Sequence, residues 1–231
     1  MKIGGLQKLT LVDYPGKVAA TVFLIGCNFK CGFCHNPELV NPQETKIQSI
    51  DEKEFFDFLN TKKGLIEGIC ITGGEPTIQI NLIDFIKKIK DAGFLVKLDT
   101  NGSMPEVLSR LVNEKLVDFV AMDIKTSLDN YAKAIGVKID AEKIKKSVEL
   151  IKNSDIDYEF RTTVVPGVVE KEDIEKIREW LKGVKKIALQ QFRNKKVLDK
   201  KFEKIIPYPD ETLKEFAKIL QKHIKKVEIR L

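Results

Sequence analysis

The strongest constraint on this chain's fold is an alternation that runs along its whole length. Short runs of β-branched and other apolar residues trade places with longer stretches whose apolar side chains recur at helical spacing. Val18 to Gly26 reads as a buried strand, and Phe55, Phe56 and Leu59 form the stripe of a helix opened by a Ser49–Glu52 capping box. The strand Gly68 to Thr72 leads to a helix carrying Leu82, Phe85, Ile86 and Ile89, with Asn81 as its cap and Gly93 as its stop. Phe94 to Leu98 is the next strand, and Ser103 with Glu106 opens the helix that precedes a strand over Val117 to Ile124. A helix at Ala141 to Lys152, a strand at Tyr158 to Val165, a helix at Asp173 to Lys182 and a strand at Val184 to Phe192 continue the pattern. Asp210 is expected to cap a last helix reaching about Lys222, and Val227 to Leu231 to form a short final strand.

Strand–helix alternation of this kind demands a mostly parallel sheet with right-handed crossovers. Six units are too few to close an eight-stranded barrel. The expected class is therefore α/β, a partial (β/α)6 TIM-like barrel. The 231 residues suit a single domain spanning 1–231, with no repeat or linker to divide it.

Polar clusters fall where these strands end. Cys27, Cys31 and Cys34 stand in a C-x3-C-x2-C pattern just past the first strand. Clustered thiolates are ligands of zinc and of iron–sulfur clusters. Two metal readings follow from the spacing. One is a zinc knuckle closed by His35 or by the remote Cys70; the other is a [4Fe–4S] cluster with one iron left open for an outside ligand. A disulfide framework does not fit four cysteines of which three are crowded together. Cys70, between Ile69 and Ile71, reads as a buried core residue.

Gly73-Gly74-Glu75-Pro76 ends the second strand. Its glycines permit close backbone approach to a ligand, and its carboxylate can accept charge-assisted hydrogen bonds. Asp99-Thr100-Asn101-Gly102, Asp123-Ile124-Lys125 and Gln190-Gln191-Phe192-Arg193 close later strands. In parallel α/β folds such ends line one mouth.

The cysteine pattern with aromatic Phe33 before its last member, followed by Gly-Gly-Glu-Pro after a strand, resembles the paired signature of radical S-adenosylmethionine (SAM) enzymes. The resemblance implies a [4Fe–4S] cluster on Cys27, Cys31 and Cys34, with SAM chelating the fourth iron. It places Phe33 near the adenine, Gly73, Gly74 and Glu75 at the methionyl end, and Asp123, Lys125 and Gln191 along the remainder. Val12-Asp13-Tyr14-Pro15-Gly16, Cys34-His35-Asn36-Pro37, Asp99-Thr100-Asn101-Gly102, Asp123-Ile124-Lys125 and Arg161 with Val165-Pro166-Gly167 resemble, in order, elements of glycyl-radical-enzyme activating proteins. That adds His35 to the cofactor-binding set and Asp99, Thr100 and Asp123 as ligands of a monovalent cation. Where pyruvate formate-lyase activating enzymes carry a histidine, this chain has Gln190-Gln191. In this and in its N-terminus it is more similar to the anaerobic ribonucleoside-triphosphate reductase activating proteins of archaea and thermophiles.

The implied chemistry is one-electron cleavage of SAM to methionine and a 5′-deoxyadenosyl radical, which takes a hydrogen from a glycine of the partner enzyme. The implied partners are a glycyl-radical enzyme and a low-potential donor such as flavodoxin or ferredoxin. The net charge of +6 is spread among 40 Lys and Arg and 34 Asp and Glu, without the aromatic-laced basic block that nucleic-acid binding favours. No apolar run reaches membrane-spanning length, and no apolar leader follows Lys2, so a cytoplasmic location is expected. Arg193 to Pro209, rich in lysine, reads either as a partner-docking loop over the barrel mouth or as a solvated basic loop.

Overall fold

The structure, a computed structural model, describes residues 1–44 and 46–231. Strands β1 (Ile3–Thr10), β2 (Ala19–Leu24), β3 (Gly68–Gly73), β4 (Leu95–Thr100), β5 (Phe119–Asp123), β6 (Asp157–Val164), β7 (Lys186–Gln191) and β8 (Lys226–Arg230) follow one another in chain order in an eight-stranded sheet. Helices α1 (Pro37–Val40), α2 (Glu52–Asn60), α3 (Leu82–Asp91), α4 (Pro105–Asn113), α5 (Tyr131–Ile135), α6 (Ala141–Lys152), α7 (Lys171–Trp180) and α8 (Asp210–Leu220) lie between them. Among the described residues no helix is long and apolar enough to cross a membrane.

The chain forms two compact units. One comprises Met1–Asn28, Glu38–Ala121 and Ser154–Asp157. Within it β2 pairs in parallel with β3, and β3 with β4, while β1 runs antiparallel along β2. β1 was not expected. Its residues Gly4, Gly5, Gln7 and Lys8 break the apolar pattern, and only its ends, Ile3 and Thr10, are buried. The stripe of α3 behaves as read: Leu82, Phe85, Ile86 and Ile89 are all buried, each contributing on the order of 1.5–3 kcal/mol.

The second unit comprises Phe29–Pro37, Met122–Asn153 and Tyr158–Leu231. Here β6, β7 and β8 pair in parallel. Ile144, Val148 and Ile151 of α6 are buried. Five-residue β8 is the expected final strand, shifted by one residue at each end.

Several helix starts differ from the sequence reading. Asp51, not Ser49, caps α2 by accepting from Lys53 N, because Ile50 is held extended by its bridge to Ile3. Asn81 stands at the cap position of α3 but makes no side-chain capping bond. Pro105 opens α4, and Ser103 instead accepts from the amide of Asn28 at 2.8 Å. Asp210 is the first residue of α8, with Pro209 before it; a carboxylate there still complements the helix dipole.

Candidate active site

In the first unit, the end of β2 and the end of β3 approach so closely that side chains are excluded. A Cβ on Gly73, whose φ is +118°, would lie 2.3 Å from Leu24 N; one on Gly74 would lie 2.0 Å from Gly26 O and 3.2 Å from Cys27 N. Gly74 N donates to Leu24 O and Glu75 N to Gly26 O, each at 2.8 Å. The two glycines therefore serve the packing of Gly-Gly-Glu-Pro against the backbone entering Cys27. Cys27 itself is half-buried, and its N–H donates to Val40 O at 3.0 Å.

Glu75 is 1% exposed. Its carboxylate accepts from Thr77 N at 3.0 Å, from the Thr77 hydroxyl, from the Thr100 hydroxyl at 2.8 Å and from Asn101 N at 2.7 Å. Burial raises its pKa, against the pull of those hydrogen bonds. The network runs on: Asn101 Nδ2 donates to Asn28 Oδ1 at 3.0 Å, and Ser103 N to Asn101 Oδ1 at 2.9 Å. Glu75 thus ties the end of β3 to the end of β4, and through Asn101 to the residue that follows Cys27. Glu75→Ala would strand at least two buried backbone N–H donors, a cost of about 2–5 kcal/mol. The expected fall in Tm is roughly 5–15 °C, with Glu75→Gln milder; a melting curve matching wild type would remove Glu75 from this role.

Asp99 is ion-paired with Lys97, a buried lysine on the same face of β4. Lys97 Nζ also lies 3.6 Å from Cys70 Sγ. Cys70 is buried as expected, though against this ion pair rather than among purely apolar neighbours. Val12-Asp13-Tyr14-Pro15-Gly16 lies at the other end of the strands. Asp13 accepts from the Thr21 hydroxyl at 2.6 Å, and Tyr14 packs on Phe119 beside Gly68 at the start of β3. That motif anchors the core of its unit.

In the second unit, Cys31 is buried and Cys34 half-buried, and Cys34 N donates to Cys31 O at 3.0 Å to close their turn. Burial pushes the Cys31 thiol up to about 11, with the Lys125 charge pulling the other way. Such a thiol gives up its proton when a metal binds. Phe33 packs against Phe202 with centroids 5.9 Å apart, and His35 stacks on Phe192 at 5.9 Å. Gln191 is engaged with its own surroundings: its amide donates to Tyr208 O at 2.7 Å and its oxygen accepts from Phe192 N at 3.1 Å.

Asp123 holds two cations, Lys125 Nζ at 2.9 Å and Arg161 Nε at 2.8 Å. Burial raises its pKa, but the two positive charges outweigh that and hold the carboxyl well below the usual range. The reverse holds for Lys125, where burial is outweighed by Asp123 and the ammonium is kept charged. The group carries one net positive charge, suited to an anionic ligand or to the negative charge of ligating thiolates. Arg161 was not named as a site residue from sequence. Nor were Lys97, Asn28 and Asn101. The signal available for Lys97 was its place two residues before Asp99 in a strand.

Soft sulfur donors at a strand end fit an iron–sulfur cluster. Among the described residues, no group of three or more His, Cys, Asp or Glu is arranged to hold a single metal ion.

Comparison with known proteins adds to this geometry. Residues 21–181 match the model of the radical SAM superfamily. A Methanocaldococcus jannaschii protein, provisionally named a glycyl-radical enzyme activating enzyme, is 39% identical over 234 residues, covering 99% of this chain and 95% of its own. The pyruvate formate-lyase-activating enzyme of Clostridium pasteurianum is 28% identical over 200 residues, covering 80% of this chain and 78% of that one. Among solved structures, Streptococcus suis SuiB bound to S-adenosylmethionine superposes with a TM-score of 0.65 at 17% identity, covering 90% of this chain and 49% of that one. That likeness shows the fold, the α/β partial barrel expected from the alternation. The cofactors are those of the matched superfamily, a [4Fe–4S] cluster and SAM. The chain is an enzyme of the radical SAM superfamily and belongs to its glycyl-radical enzyme activating branch.

Proposed function

We propose that this chain activates an anaerobic ribonucleoside-triphosphate reductase by placing a radical on one of its glycines. The observation that carries this choice of partner is Gln190-Gln191 at the end of β7, where pyruvate formate-lyase activators carry a histidine. When bound and reduced by an outside donor, the cluster would supply the electron that breaks the S–C5′ bond of SAM. Cys27, Cys31 and Cys34 are its ligands in this reading. Gly73, Gly74 and Glu75 hold the methionyl end of SAM, and the Glu75 carboxylate also fixes the backbone there through its own hydrogen bonds. Phe33 lies near the adenine, His35 belongs to the cofactor-binding set, and Asp123, Lys125 and Gln191 line the remainder of SAM. Asp99, Thr100 and Asp123 remain proposed ligands of a monovalent cation, which would compete with Lys97, Lys125 and Arg161 for the two carboxylates. The single core domain over 1–231, a cytoplasmic setting and reduction by flavodoxin or ferredoxin belong to the same proposal, which includes neither nucleic acid nor a membrane.

Presenting the reduced, SAM-loaded protein with the anaerobic reductase and, separately, with pyruvate formate-lyase tests the choice. A glycyl-radical resonance on the reductase is expected. A signal on pyruvate formate-lyase alone would reverse the assignment.

The exposed lysines of the segment after β7 supply a second prediction. Reversing Lys200 and Lys201 to Glu should weaken glycyl-radical formation at limiting partner and lessen its salt sensitivity, leaving partner-free SAM cleavage unchanged. Equal radical yield would leave those lysines as solvated surface.

A further inference from the structure

Residues 193–209 are not an unattached loop. Their middle folds back on the cysteine turn within the second unit. Phe202 belongs to a short 3-10 turn, Lys200–Lys204, and its ring lies against Gly32 and Phe33. Asp199 N donates to Gly32 O at 2.9 Å, and Asp199 Oδ1 accepts from Lys201 N at 2.9 Å. One residue therefore grips Gly32 and also starts the turn that carries Phe202. Val197, in the same segment, is buried. Phe192 meets Phe202 edge-on at 6.5 Å, and His35 Nε2 lies 2.8 Å from Arg193 O.

Gly32 explains itself through this contact. Its backbone is not left-handed, so an alanine would suffer no torsional strain. A Cβ there would nevertheless come within 2.4 Å of Phe202 Cε2 and 3.3 Å of Asp199 Cβ. The missing side chain is the space that the Phe202 ring fills. Gly32, Phe33 and His35, which interleave and follow Cys31 and Cys34, are each held by the segment 192–202.

We propose that Phe202 is a positioning residue for the cluster: seated on Gly32, it keeps the Cys31–Cys34 turn in ligating shape and seals it from solvent. The inference rests on Cys31 and Cys34 as ligands and is independent of which glycyl-radical enzyme is the partner. Outer-shell contacts of this kind govern how firmly a metal group is held and how solvent reaches it.

The test uses the anaerobically reconstituted full chain and follows loss of cluster absorbance after addition of an iron chelator. Phe202→Ala is expected to load iron fully and then lose it at least about tenfold faster, whereas Phe202→Leu stays near wild type. Gly32→Ala alone should be similarly labile. The double variant Gly32→Ala/Phe202→Ala should be no faster than Phe202→Ala, because the clash and the seal are one contact. The reduced-cluster resonance should also change on SAM addition differently in Phe202→Ala. Circular dichroism checks folding, and Phe202→Val substitutes if the alanine variant does not fold. A wild-type loss rate in Phe202→Ala, or single effects that multiply in the double variant, would overturn the proposal. Full cluster retention by Cys31→Ala would instead overturn the ligand assignment beneath it.

Discussion

Gly74→Val is expected to destroy both iron binding and SAM cleavage. The new Cβ would lie 2.0 Å from Gly26 O and 2.5 Å from Gly26 C, both backbone atoms with no rotamer to yield. Relief requires the ends of β2 and β3 to part. That breaks the hydrogen bonds from Gly74 N to Leu24 O and from Glu75 N to Gly26 O. Because the clash also reaches Cys27 N at 3.2 Å, the damage includes the cysteine segment itself. A glycine kept small only for SAM would lose SAM cleavage alone on this substitution; the backbone contact extends the damage to the cluster. Overpacking of this sort costs about 1–3 kcal/mol or more. Gly74→Ala should show the same loss, while Gly5→Ala, whose Cβ would meet Phe23 at an ordinary 3.6 Å, should bind iron normally. Iron per chain after reconstitution decides it, and wild-type content in Gly74→Ala would refute the account of this contact.

Replacing Cys27, Cys31 or Cys34 by Ala should each abolish cluster retention, for three sulfur ligands leave none to spare. Cys70→Ala should keep the cluster. It touches Lys97 and Asp99 on neighbouring β4, so its loss is felt as a modest change in stability of about 1–2 kcal/mol. Undiminished iron in any of the first three variants would remove that cysteine from the ligand set. A zinc site closed by Cys70 predicts the opposite for the fourth variant.

The parallel strands and their helices were legible because their apolar periods are clean: Ile69 and Ile71, Val96 and Leu98, or Phe85 and Ile89 are buried as alternation and helical spacing require. The positions of the cysteines, Gly-Gly-Glu-Pro and the later Asp motifs at strand ends were legible for the same reason. What escaped depends on which side chain reaches which. β1 is hidden by its glycines and polar residues, since an edge strand with one partner needs few apolar residues. The pairing of Asp123 with Arg161 needs the sheet register to be known, whereas that of Asp99 with Lys97 needs only their shared face of β4. Glu75 reads from sequence as a contact for SAM, and its four donors add a structural tie that only the structure displays. The lysines of 193–204 suggested solvent, yet Val197 and Phe202 turn inward on the same segment.

The most direct measurement of the proposed activity follows a hydrogen atom. The reduced protein is given SAM and an anaerobic ribonucleoside-triphosphate reductase whose glycines carry deuterium at the α-carbon. Deuterium should appear in the 5′-deoxyadenosine produced, together with a glycyl-radical resonance on the reductase. Unlabelled 5′-deoxyadenosine, with no radical on the reductase, would contradict the assignment.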